Sequence, residues 1–90
     1  MAEGNNRYGM TVPLTGSLAD HREVFRELVA LGYTDAWSAE ANETDGLTPL
    51  ALAAAWAPEL RLGTAILPVF TRGPALLAQS AAALASAAPG

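Results

Sequence analysis

The sequence predicts an α/β fold made of three consecutive strand-helix units, and three observations carry that prediction. Three short apolar segments with strand character alternate with three helix-like segments along the ninety residues. The strands begin roughly 25 to 30 residues apart, the repeat length of a βαβ unit. Each helix has recognisable start or stop residues. Right-handed crossovers in such a chain bring the C-terminal ends of all strands to one side, giving a parallel sheet or barrel.

The first strand is predicted over 8–14, with Pro13 tolerable only at a strand end. Ser17 followed by Asp20, or Asp20 followed by Glu23, has capping-box spacing and starts a helix over 18–31. Val24, Leu28 and Leu31 recur at i, i+4 and i+7 with Phe25 widening the stripe, and Arg22, Glu23 and Arg26 face away. Gly32 ends this helix. A second strand covers 34–39. Thr48 as N-cap and Pro49 at the first helical position open a helix over 49–57, stopped by Pro58. A third strand covers 61–67, and Gly73-Pro74 opens an alanine-rich helix over 74–87 whose small side chains suit close packing on a sheet. The strands are short and apolar, as strands buried on both faces are. One domain spans 1–90, with no linker.

Composition excludes several classes of function. The chain is 51% hydrophobic and 16% charged, which is globular rather than disordered. Its cations are five arginines with no lysine, and its net charge is -4. A nucleic-acid partner, which needs a clustered basic face, is therefore not expected. With no cysteine and one histidine, thiolate zinc sites, disulfides and all-imidazole metal sites are ruled out. The start, MAEGNNRYG, lacks the charged-then-apolar pattern of a secretory signal, so a cytoplasmic location is expected. The uncharged run from Gly73 to Gly90 is too alanine-rich and proline-bounded for a membrane span.

In parallel α/β folds the site forms beyond the C-terminal ends of the strands. Three clusters fall there: Pro13 to Thr15, Ser38 to Asn42, and Gly63 to Arg72. Neither G-x-G-x-x-G nor a Walker loop occurs, which disfavours a flavodoxin-like or dinucleotide-binding module. Arg72 reads as a surface arginine, His21 as exposed, and Trp37 and Trp56 as core aromatics.

The strings TDAWSAE and LTPLALAAAWAPELRLGTAILPVFTRGPALLAQSAAAL, in that order, resemble the luciferase-like flavin and deazaflavin oxidoreductases, especially the deazaflavin-dependent members. The resemblance covers the chain from Tyr8 onward. It implies the N-terminal three βα units of a TIM-type (β/α)8 barrel, incomplete in this chain. In the family the third strand carries a bulge, with a non-prolyl cis peptide, that backs the cofactor ring. The matching residues are Thr64, Ala65 and Ile66, with the cis bond expected between Ala65 and Ile66. A cis bond there costs about 2.5 to 4 kcal/mol and needs packing to enforce it.

Many family members carry an acid and a histidine at the end of the second strand. Here Glu40 matches the acid, but Ala41 stands where the imidazole is expected. Glu40 is the candidate catalytic residue, able to orient a substrate or to exchange a proton if burial raises its pKa. Asn42 is the candidate substrate contact. The resemblance favours F-420, a 5-deazaflavin, as cofactor, with flavin mononucleotide as the alternative, acting on a small organic substrate. Tight binding and turnover by the chain alone are not expected, because barrel enzymes commonly hold cofactor phosphate in loops after strands seven and eight. The alternative is a noncatalytic piece that works only by association, with itself or a complementing chain, through an exposed sheet edge.

Overall fold

A computed structural model describes residues 6–40, 44–68 and 70–88. Strand β1 (Gly9–Thr11) leads through a 3-10 turn (Leu18–His21) into helix α1 (Arg22–Ala30), followed by β2 (Asp35–Ser38), α2 (Thr48–Trp56), β3 (Arg61–Thr64) and α3 (Pro74–Ala87). The strands form one parallel sheet in the order β1-β2-β3. Met10, Ala36 and Leu62 lie in register, as do Thr11, Trp37 and Gly63. The expected alternation and parallel sheet are both present.

Side chains in register share a face. The Ala36 face is covered by α1 and α2, where Val12, Phe25, Leu28, Ala36, Ala53, Ala57 and Leu60 form the core. Phe25 and Trp56 meet at its edge with ring centroids 6.3 Å apart. Among the described residues the opposite face is largely open around Trp37, so the strands are not buried on both sides. Trp37 lies on this open face, 39% exposed, and its ring covers the flanking glycines. A Cβ at Gly63 would lie 2.6 Å from the indole, and one at Gly9 3.0 Å from Nε1. Trp37 is therefore a face residue rather than a core one.

Helix ends follow local chemistry. Gly32, at φ 94, terminates α1 through two bonds: its N–H donates to Val29 O and the Tyr33 N–H to Leu28 O. This is the Schellman arrangement, which favours a residue without Cβ. Ser17 caps the 3-10 turn, its Oγ accepting from Ala19 N. At α2 the cap is not Thr48 but Asp45, whose Oδ2 accepts from the N–H groups of Leu47 (3.1 Å) and Thr48 (2.9 Å). Its carboxylate reaches two of the otherwise unpaired amides of the first turn.

Three expectations about packing are corrected. The buried stripe of this helical segment runs through His21, Phe25 and Leu28, with Val29 partly covered, while Val24 and Leu31 are exposed. The true stripe starts three residues earlier than expected, at a histidine. His21 is buried, with Nδ1 2.9 Å from Ser17 O and Nε2 3.3 Å from Pro13 O, so it ties the loop after β1 to the 3-10 turn. Helix α3 packs beside α2 but buries none of its residues. A cleft of about 600 Å³ separates it from β3, walled by Leu50, Leu62, Leu77 and Leu84. The alanines of α3 are too short to reach across it.

Candidate functional site

The three strands end together, and the loops that follow β2 and β3 meet there. Beyond Ser38 and Thr64 the ladder continues with Ala65 N–H donating to Ser38 O at 2.7 Å. A regular parallel ladder would next send the Glu40 N–H to the Ala65 carbonyl. It goes instead to Ile66 O, at 2.8 Å. The third strand has gained one residue, which is a β-bulge at Ala65 and Ile66. Ile66 is consequently turned out, 71% exposed. Thr64, in register with Ser38, instead lines the cleft toward α3. Ala65 and Ile66 are thus brought together on the bulge, and Thr64 stands behind them.

The peptide bonds of the described residues are all trans, so the expected cis bond between Ala65 and Ile66 is not formed. The bulge is accommodated by the shifted hydrogen bond alone. Ile66 is largely exposed among the described residues, so little packing is available there to offset the cost of a cis bond.

Glu40 follows β2 and is only 14% exposed along its side chain. Its Oε1 accepts from Gly46 N and from Arg72 Nη2, both at 2.9 Å. The guanidinium and then the Gly46 amide hold the carboxyl below the usual carboxylate range. Burial is outweighed and does not raise its pKa overall, so the condition for proton exchange is not met and the Arg72 and Gly46 contacts favour the ionised carboxylate. Arg72, 16% exposed, also reaches Asp45 Oδ2 at 3.4 Å, which overturns its reading as a surface arginine. Burial pushes the Asp45 carboxyl up, but the Thr48 and Leu47 amides and Arg72 outweigh it and leave it lowered. The Nε of Arg72 is buried without a hydrogen-bond partner among the described residues.

Gly46 is the point at which the loop closes on the strand end. The buried Ser38 Oγ donates to Gly46 O at 2.6 Å while the Gly46 N–H goes to Glu40. A Cβ at Gly46 would collide with Leu67. Only glycine allows that approach without displacement. Ala41 and Asn42 lie outside the described residues.

At the other end of the sheet Asp35, buried at the start of β2, was not singled out by sequence reasoning. It takes a two-pronged contact from Arg7 (Nη2 to Oδ1 2.8 Å, Nε to Oδ2 3.4 Å) and a bond from Thr34 Oγ1 at 2.7 Å, with Arg61 at 3.9 Å. The Arg7 bond lowers its pKa against the opposing effect of burial. This cluster sits at the N-terminal end of the strands, where such folds place stability rather than chemistry.

A family model described as luciferase-like monooxygenase matches residues 4–90. The chain belongs to that family. No curated protein and no solved structure matched in the corresponding comparisons. The three parallel βα units agree with the N-terminal βα units of a luciferase-like barrel, and the family is one of flavin-type oxidoreductases. As for the cofactor the luciferase-like fold implies, the apolar bulge fits a planar ring, since Ile66 is 71% exposed among the described residues. Arg72, the cation between the loops after β2 and β3, is already engaged by two carboxylates and so is not free to grip a phosphate. No helix among the described residues is long and apolar enough to cross a membrane.

Proposed function

We propose that this chain is the N-terminal part of a deazaflavin- or flavin-dependent oxidoreductase, in which the bulge after β3 backs the cofactor ring. The displaced bond from Glu40 N–H to Ile66 O carries this reading, because it turns an apolar side chain outward at the strand ends. Thr64, Ala65 and Ile66 would hold the ring. When bound, the cofactor supplies hydride transfer to or from a small organic substrate, or oxygen activation if it is reduced flavin mononucleotide. F-420 is favoured by the sequence resemblance.

Glu40 acts here as an ionised acceptor, not as a proton donor. Among the described residues both of its hydrogen bonds use Oε1, and Oε2 would accept from a substrate hydroxyl or amide. Asn42 is assigned to substrate on sequence grounds only. With the phosphate-holding units of the barrel outside these three βα units, the chain alone neither turns over substrate nor grips the cofactor tightly. Fluorescence titration of the chain with F-420 and with flavin mononucleotide tests this. Weak, non-saturating binding at micromolar cofactor is expected, stronger for F-420; saturation in that range, or preference for flavin, contradicts it.

A second reading is favoured by the outer edge of β3, which has no partner strand among the described residues, and by the leucine-lined cleft beside it. On this reading the chain works by association through that edge. Sedimentation across a hundredfold concentration range tests it: a mass that rises with concentration supports association, and a constant monomer mass rejects it.

A further inference from the structure

The Glu40, Arg72 and Asp45 side chains join three separate pieces of chain: the end of β2, the loop into α2 and the loop into α3. Arg72 Nη2 lies 2.9 Å from Glu40 Oε1 and 3.4 Å from Asp45 Oδ2, with the Arg72 and Glu40 side chains both more than four-fifths buried. Without the guanidinium, the largely buried Glu40 carboxylate would lose its charged partner and face the Asp45 carboxylate, 38% exposed, with no cation between them, which favours Glu40 turning out to water. Glu40 is also the residue whose backbone N–H closes the bulge by donating to Ile66 O. The side chain held by Arg72 and the amide that sets the bulge therefore belong to one residue.

We infer that Arg72 is a positioning residue for the cofactor-facing bulge: it fixes Glu40, and through the Glu40 amide it fixes Ala65 and Ile66. A lysine at this position retains the charge but is a point donor on a flexible stem. It pairs with one carboxylate at a time and holds the bulge only partly. The functional meaning of the clasp rests on reading the bulge as the ring contact, whereas the clasp itself can be measured without cofactor.

Amide hydrogen exchange on the chain and on its Arg72→Gln and Arg72→Lys variants separates local positioning from general stability. The Glu40 and Ala65 amides report the bulge. The Val12 and Ala57 amides, bonded to Trp37 O and Ala53 O, report the sheet and core. In Arg72→Gln, exchange at Glu40 and Ala65 is expected to rise at least tenfold with Val12 and Ala57 unchanged, and Arg72→Lys should fall between. Unchanged protection at Glu40 and Ala65 overturns the inference. So does an equal loss at all four amides in both variants, which would make Arg72 a general stabiliser. Loss at all four in Arg72→Gln together with a selective loss in Arg72→Lys supports it. Failure here would leave the cofactor reading intact, and failure of cofactor binding would leave the clasp intact.

Discussion

A methyl group added at Gly46 would strike the Leu67 side chain and lie 3.5 Å from both Glu40 Cβ and Ser38 Oγ. Gly46→Ala therefore has to push the Leu67 Cδ2 methyl aside, which strains the loop that Ser38 and Glu40 hold against the strand end. Overpacking of this kind costs about 1 to 3 kcal/mol. A lower Tm with shifted Glu40 and Ser38 resonances is expected, and an unchanged Tm would show the loop to be slack. Sequence reasoning singled out Glu40 and the Ala65–Ile66 bulge, both through resemblance. It missed the partners. Arg72 and Glu40 are 32 positions apart and Arg7 and Asp35 are 28 apart, so which carboxylate meets which guanidinium depends on strand register, which no local pattern encodes. Asp45 was closer to being legible, because an acid three residues before Thr48 has capping spacing.

At the scale of elements, order and type were readable because periodicity and stop residues act locally. Gly32 is the clearest case. Its positive φ is disfavoured for a residue with Cβ by roughly 1 to 2 kcal/mol, so Gly32→Ala should destabilise the chain by about that amount in a denaturant titration. The phase of the first helix was misread since Val24 and Leu31 also fit a helical spacing, and apolarity alone does not decide between overlapping stripes. The buried member that decides it, His21, is polar and is accommodated by facing two carbonyl oxygens. The open face of the sheet was misread for a related reason. A central Trp37 flanked by glycines on both neighbouring strands is a cross-strand pattern, visible only once the strands are aligned.

At the scale of the whole molecule, stability is small enough for single groups to matter, with about 5 to 15 kcal/mol typical of a domain. Leu60, 1% exposed in the core, should cost about 2 to 5 kcal/mol when changed to alanine, a large share of that stability and readable as a lower denaturation midpoint. Asp35, Glu40 and Asp45 all have folded-state pKa values below their ordinary ones. The stability they contribute is fully present at neutral pH and is lost as pH falls through those depressed values, below the ordinary carboxylate range of about 4. Thermal unfolding followed from neutral to acid pH should show a flat Tm near neutrality and a fall below that range; a Tm that rises on acidification would contradict the pairing. The central claim is that these three βα units form one wall of a ring-binding site, with the bulge as its contact. Amide chemical-shift mapping of the isotope-labelled chain with millimolar F-420 tests it most directly. Perturbations centred on Thr64, Ala65, Ile66 and Glu40, without saturation in the micromolar range, are predicted. Perturbations centred on Arg7, Asp35 and Arg61 at the opposite end of the sheet, or none at all, would contradict it.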